Sequence, residues 1–406
     1  MDGFLFRIKR RLGYWGMFIK YLTAYLLRGL YKNKEMYRNL WIIAERGVDA
    51  RDNGYFLFRY MRREHPGYNV RFIISEDSPD RKKVEDTGPV INYRSFAHYL
   101  AIALSEVKIS SHVCGYTPET CYFTIVGRRG LIPGIKIFLQ HGIIKDDLPF
   151  LYYENTQLDL FVCGAKREME YIRANYGYPA GIVRHLGLCR YDNLPIEKNR
   201  KRSGIILLMP TWRRYLEKLS VTAFKKTRIC QVFERLFFDG SLEALLCRYD
   251  YELVFYPHHE LQKYLSAFIH EDSGQKPGRV RFASEMEEDL QRLLIQADVL
   301  VTDYSSVYFD FSYMEKPVVY YQFDEEEYRK GHYAQGYFSY ELDGFGKVTR
   351  TQEELLLELD GILARGGGME EQYAARVKEF FTIRDKENCK RNFEAILDVQ
   401  QKRKTE

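Results

Sequence analysis

The sequence has no CxxC pair. Its seven cysteines stand at 114, 121, 163, 189, 230, 247 and 389, an odd number without metal-ligand spacing. That excludes a disulfide framework and a zinc ribbon, and leaves buried small hydrophobes or inert thiols of a reducing compartment. Proline is sparse, 12 in 406 residues, and low-complexity tracts are absent. With a hydrophobic share of 46%, this excludes a mainly disordered chain. There is no GxxxxGK[ST] loop and no GxSxG elbow, so a P-loop nucleotide site and an α/β-hydrolase nucleophile are both excluded. No apolar run approaches the roughly 20 residues of a membrane-spanning helix. Excess charge is also missing from most of the chain. Residues 1–34 carry eight basic groups against one acid, Asp2, which leaves 53 basic and 55 acidic residues elsewhere. A body without positive excess is no general nucleic-acid binder.

The first 34 residues hold a helical pattern. On a repeat of 3.6 residues, Phe4, Ile8, Leu12, Trp15, Ile19, Leu22, Leu26 and Leu30 fall in one stripe, with Arg7, Lys9, Arg10, Lys20 and Arg28 off it. A basic amphipathic helix with aromatic residues suits an anionic membrane surface, where each cation contributes about 1 kcal/mol. Arg7, Lys9, Arg10, Arg11, Trp15 and Lys20 are the expected contacts. Lys20 separates the uncharged stretches 12–19 and 21–27, so the segment is expected to lie on a membrane and not to cross it. No small-residue cleavage site follows. A helix packed on its own domain would show the same stripe.

From residue 39, short apolar runs alternate with amphipathic stretches, the signature of an α/β fold with parallel sheets. Strands are expected at 40–44, 70–74, 107–111, 135–140, 158–163 and 182–186. A second series follows at 205–209, 251–256, 280–282, 299–302 and 318–321. Helices are expected near 54–64, 95–105, 165–176, 220–248, 259–270, 285–296, 306–314 and 351–364. Residues 190–203 read as a hydrophilic connector. A chain of this length exceeds one core, which predicts domains over 35–195 and 196–368, a membrane-associating segment over 1–34 and C-terminal helices over 369–406. Two doubly wound halves facing each other would leave a cleft, and open α/β sheets bind ligands at the carboxyl ends of their strands.

Three segments at strand ends carry polar chemistry. The first is Leu139-Gln140-His141-Gly142, where a histidine with a pKa near 6.5 suits a general base and Gly142 allows close approach. A histidine held by hydrogen bonds for structural reasons fits the same place. The second is Tyr256-Pro257-His258-His259-Glu260. Adjacent histidines cannot share a face and no carboxylate completes a ligand set, so donation to an anion is expected and a metal is not. The third is Thr302-Asp303-Tyr304-Ser305-Ser306, whose serines can cap the next helix and whose free N–H groups favour phosphate. Thr211 and Arg213, in Pro210-Thr211-Trp212-Arg213, and Lys145 are further candidates for the same anion. His65, His112, His185, His270 and His332 lack convergent partners in the sequence.

These segments together resemble the CDP-glycerol:poly(glycerophosphate) glycerophosphotransferase family, the teichoic acid polymerases and primases of Gram-positive bacteria. The matching residues are LQHG at 139–142, PTWR at 210–213, YPHH at 256–259, ADVLVTDYSSVYFDF at 297–311 and KPVVYYQFDEEEYRKGHY at 316–333. The resemblance implies a GT-B fold of two Rossmann-like domains, with the donor nucleotide held mainly by the C-terminal one. It implies His141 as catalytic base and His258 as a phosphate-contacting, catalytic histidine. Ser305 and Ser306, with Thr302 and Asp303 beside them, match the pyrophosphate-binding turn, and Asp310 would meet a ribose hydroxyl. Gly142 and Lys145 fall on the acceptor side. Two departures, His259 in place of a frequent proline and Gln140 in place of a Trp-His pair, leave acceptor and exact donor open.

The implied reaction moves an alditol phosphate from CDP-glycerol, or CDP-ribitol, to a hydroxyl of a polyprenyl-diphosphate-linked acceptor, releasing CMP without cofactor or metal. Such a protein would sit peripherally on the cytoplasmic face of the plasma membrane. A GT-B sugar transferase using a UDP- or GDP-sugar, or a non-catalytic nucleotide-binding scaffold, would share the same phosphate turn.

Overall fold

A computed structural model describes residues 2–196, 201–268, 278–284, 288–331 and 333–405, with side chains left out for residues 2–11 and His259. His270 and His332 lie outside the described residues, as do the side chains of Arg7, Lys9, Arg10 and Arg11. The chain divides into two compact units. The first holds residues 1–143, 148–193 and 383–406; the second holds 144–147 and 194–382.

Among the described residues of the first unit, seven strands form one parallel sheet. They are β1 (Trp41–Ala44), β2 (Val70–Ile74), β3 (Val90–Asn92), β4 (Val107–Ser110), β5 (Ile135–Phe138), β6 (Leu160–Cys163) and β7 (Val183–His185). Their spatial order is β3-β2-β1-β4-β5-β6-β7. Helices cover a parallel sheet on both faces, which is why its central strands are near-continuous apolar runs: β1, β5 and β6 are buried at every position. The chain winds outward from β1 through β2 to β3, then returns to lay β4 on the other side of β1. That reversal makes the carboxyl ends of β1 and β4 a topological switch point.

The second unit repeats the plan with β8 (Ile205–Met209), β9 (Glu252–Phe255), β10 (Val280–Phe282), β11 (Val299–Thr302), β12 (Val318–Tyr321) and β13 (Gly346–Thr349). The order β10-β9-β8-β11-β12-β13 puts its switch point between β8 and β11. β13 begins with Gly346 because any Cβ there would fall 1.7 Å from the Val318 carbonyl oxygen. Residues 220–248, expected as one helix, form three: Val221–Phe224, Arg228–Phe238 and Ser241–Tyr249. Thr227 restarts the second as N-cap, and Gly240, at φ 86°, breaks it from the third.

The C-terminal helices part company. Glu371–Phe380 belongs to the second unit, whereas Asn388–Thr405 belongs to the first. There Phe393 and Ile396 enter the core beside Trp41 and Phe58, and His65 stacks on Phe393 with ring centres 4.0 Å apart.

The N-terminal helix Asp2–Tyr31 packs on the first unit through a face other than the leucine stripe. Tyr14 stacks on Tyr122, Tyr21 donates to the Leu131 carbonyl at 2.7 Å and meets Phe123 edge-on, and Ala24 is fully buried. These positions recur at the 3.6-residue period, one flank away from the stripe. From Leu12 onward, where side chains are described, the stripe stays in solvent: Trp15 is 64% exposed, Leu26 72% and Leu30 75%, with Leu12, Ile19 and Leu22 beside them. Among the described residues no helix is long and apolar enough to cross a membrane.

Candidate functional site

In the first unit, His141 follows β5 in a loop that the backbone must bend sharply to enter. Gln140 takes a left-handed φ of 63°, an unfavourable conformation for a residue with a side chain, and is wholly buried. Asn53 holds it there, donating from Nδ2 to the Gln140 carbonyl at 2.8 Å. The His141 side chain emerges 67% exposed, yet its Nδ1 lies 2.5 Å from Asp52 Oδ2. Asp52 is the N-cap of the helix Asn53–Glu64, which starts after β1. Its other oxygen accepts from Arg190 Nη1 at 2.8 Å, and the same Arg190 nitrogen donates to the His141 carbonyl at 2.7 Å. Glu45, at the end of β1, accepts from the backbone N–H groups of Arg51, Asp52 and Tyr55, fixing the turn that presents Asp52.

His112, just after β4, stacks on His141 with ring centres 4.7 Å apart. The sequence gives His112 no partner; the sheet supplies one, because β1, β4 and β5 are neighbours and release Asp52, His112 and His141 at the same edge. Burial, and then His141, push His112 down to about 4, so it stacks as a neutral ring at pH 7. Burial alone would raise Asp52, but the charges of His141 and Arg190 outweigh it and bring the carboxyl to about 2. Arg190, expected in a hydrophilic connector, is instead buried in the short helix Cys189–Asn193.

Asp52, His112 and His141 each offer one ligand atom, all within 4.8 Å of one another. The donor set fits a cation poorly. Asp52 already neutralises the Arg190 guanidinium at 2.8 Å, and a divalent ion on the same carboxylate would face that fixed positive charge.

In the second unit the switch point gathers the other predicted residues, but several are bonded to each other. Asp303 accepts from Thr211 N at 2.8 Å and Thr211 Oγ1 at 2.5 Å. Arg213 is 0% exposed; its Nε and Nη2 each reach Asp324 at 2.8 Å, its Nη2 also reaches Asp303, and its Nη1 donates to the Thr211 carbonyl. Burial disfavours the guanidinium charge, but Asp303 and Asp324 overcome it and raise the pKa. Thr302 Oγ1 donates to the Met209 carbonyl, joining β11 to β8. Thr211 and Arg213, expected to approach the donor's anion, and Thr302 and Asp303, expected beside the pyrophosphate-binding turn, are thus tied into one network, because PTWR and VTDY stand at the ends of the adjacent strands β8 and β11. Asp310 is buried in the helix Val307–Tyr313. Lys145, a candidate on the acceptor side, is buried and ion-paired with Asp146.

Ser305 and Ser306 remain partly accessible. Ser305 Oγ accepts from Val307 N at 3.3 Å, while Ser306, at the N-cap position, makes no capping bond with its side chain. His258, after β9, is exposed and accepts from Glu260 N through Nδ1 at 3.3 Å. Its proton therefore resides on Nε2, the donor an anionic oxygen needs. Gly142 is half-buried beside His141.

The family described as CDP-Glycerol:Poly(glycerophosphate) glycerophosphotransferase matches residues 30–398. The chain belongs to this family. It is 32% identical over 371 residues to the minor teichoic acid biosynthesis protein GgaB of Bacillus subtilis (strain 168), covering 89% of this chain and 40% of that protein. It is 21% identical over 367 residues to a teichoic acid poly(glycerol phosphate) polymerase of Staphylococcus epidermidis, covering 82% of this chain and 46% of that protein. The chain thus spans less than half the length of these relatives. A solved structure of the wall teichoic acid polymerase TagF matches the fold with a TM-score of 0.67 at 18% identity, covering 98% of this chain and 99% of that one. The α/β, GT-B architecture expected from the sequence is the one observed.

Proposed function

We propose that this protein transfers an alditol phosphate, glycerol phosphate in the first instance, from a CDP-alditol to a hydroxyl of a teichoic-acid-type acceptor. His141 Nε2 takes the hydroxyl proton. The acceptor oxygen forms a bond to the β-phosphorus of the donor, the bond from that phosphorus to the bridging oxygen breaks, and CMP leaves. His258 donates from Nε2 to the donor phosphates, with the hydroxyls of Ser305 and Ser306 as further contacts; hydrogen bonds that strengthen on the transferring group lower the barrier. Arg213 and Thr211 take no part in binding; they hold the floor of the turn in place.

One observation carries this reading: within a chain of this family, His141 is both exposed and tied through Nδ1 to a buried carboxylate, the arrangement of a general base. The acceptor is proposed to be lipid-linked and the site of action the cytoplasmic face of the membrane. The supporting feature is the solvent-facing leucine stripe of the helix Asp2–Tyr31, which lies along a helix already anchored to the first unit.

Offering CDP-glycerol, CDP-ribitol, UDP-sugars and GDP-sugars with a polyol-phosphate acceptor, and identifying the nucleotide released, tests the proposal. CMP from a CDP-alditol is the expected product. Release of UDP or GDP would replace the phosphotransfer with glycosyl transfer, and binding without any turnover would leave a scaffold.

A further inference from the structure

The turn Asp52-Asn53 at the start of the helix Asn53–Glu64 bonds to both Gln140 and His141 in the loop after β5. Asn53 is fully buried and works in two directions: Nδ2 donates to the Gln140 carbonyl at 2.8 Å, and Oδ1 accepts from Arg190 N at 2.9 Å. Asp52 does the same with charge, one oxygen on His141 Nδ1 and the other on Arg190 Nη1. Gly54 completes the turn. Its N–H donates to Ser111 Oγ at 2.8 Å, and a Cβ there would press on Glu45, the Ala44 carbonyl and Ser111 within 3.4 Å. The helix therefore starts against the ends of β1 and β4 with no slack. Arg190 is held from behind by the C-terminal helix, because Asp192 in the same short helix accepts from the backbone of Asn388 and Cys389.

An imidazole has two tautomers of similar energy, and only the one with its proton on Nδ1 leaves Nε2 free to accept. An ionised carboxylate can only accept, so an Asp52 kept ionised by Arg190 requires a proton on His141 Nδ1. Resting on the function proposed above, we infer that Asp52, braced by Asn53 and Arg190, is the positioning residue that makes His141 Nε2 the proton acceptor. On proton transfer the ring becomes an imidazolium with Asp52 already beside it, so no reorganisation is needed at that step. Arg190 and Asn53 act through Asp52 and the loop, and none of the three touches substrate. The same carboxylate–imidazole relation serves hydrolases on unrelated folds.

Two measurements on the full chain decide it. The nine histidines are labelled with nitrogen-15, and the His141 ring signals are assigned by their loss in His141→Ala. The expected wild-type spectrum shows an Nδ1–H, Nε2-unprotonated ring. In Asp52→Asn the amide oxygen can still cap the helix and accept from Arg190, but its NH₂ can face His141 and reverse the tautomer to Nε2–H. Turnover is then expected to fall by about 100-fold or more, with the donor KM within about threefold of wild type. A purely structural role would move the melting temperature and leave the wild-type tautomer unspecified. The pH profile is read in the same samples, with Glu45, Arg46, Asp49, His112 and Arg190 as the other charged or titratable groups around the pair.

A wild-type His141 protonated on Nε2 overturns the inference, and so does an Asp52→Asn protein with turnover within about threefold of wild type. Should Asp52→Asn fail to fold, the wild-type tautomer alone decides. The reading beneath is judged separately, because the tautomer needs no substrate. If His141→Ala keeps full nucleotide release, the base falls while the tautomer still reports on Asp52.

Discussion

Arg213 grips Asp324 with two parallel hydrogen bonds of 2.8 Å, and neither residue sees solvent. Tyr304 and Tyr328, stacked 3.8 Å apart, lie against the guanidinium, each ring centre about 5 Å from it. Removing the cation would strand two buried carboxylates, since Asp303 shares it. Arg213→Ala is therefore expected to cost about 3–5 kcal/mol of stability. Urea unfolding measures this. A folded, stable variant with weakened donor binding would instead return Arg213 to the phosphate-binding role that its motif suggested.

His258 offers the contrasting case. It is exposed and its side chain caps only a short helix through Glu260 N, so His258→Ala should cost no more than about 1–2 kcal/mol of stability. Loss of a hydrogen bond to a charged phosphate is worth about 1.5–3 kcal/mol, or roughly 10–150-fold in affinity. Calorimetric titration with CDP-glycerol reads the difference directly, and unchanged affinity would remove His258 from the donor site.

The leucine stripe can be altered without touching the fold because Leu26 and Leu30 are mostly in solvent. Leu26→Asp combined with Leu30→Asp should preserve thermal stability. Cosedimentation with anionic phospholipid vesicles should fall by about 100-fold or more, each leucine contributing about 1.5–3 kcal/mol when buried in lipid. Vesicle binding that survives both changes would move the attachment elsewhere.

Two imidazoles, His98 and His112, contribute to the acid limb of stability. His98 is fully buried, its Nε2 2.6 Å from the Tyr116 carbonyl, and burial pushes it down to about 4; His112 falls to about the same value. Unfolded histidine titrates near 6.5. Above that pH both states are neutral. Between about 6.5 and 4 the unfolded chain takes up protons that the folded chain refuses, so stability drops as pH falls through that window. Melting temperature recorded from pH 7 to pH 4 should decline, and His98→Gln should flatten part of the decline.

Much of the architecture could be read from the chain. Five strands, β2, β8, β10, β11 and β12, have the bounds expected of them, since short apolar runs bordered by polar turns are what parallel sheets require. The two that escaped notice are edge strands: β3 is three residues long, and β13 opens with a glycine and carries an exposed lysine. Of the candidate site, His141, His258 and the serine pair stand out because each follows a strand. Asp52 was within reach, as an N-cap before a helix that the periodicity located. Its partnership with His141, 89 residues away, was not, because only the order of β1, β4 and β5 makes them neighbours. The pairing of Arg213 with Asp303 and Asp324 was hidden for the same reason: a motif names a residue type, and the fold decides what that residue touches.

The most direct test is the rate of CMP release from CDP-glycerol with a polyol-phosphate acceptor, compared between wild type and His141→Ala. The ring is exposed, so the variant should fold as the wild type does, and its rate should be lower by about 100-fold or more. Equal rates in the two proteins would contradict the account.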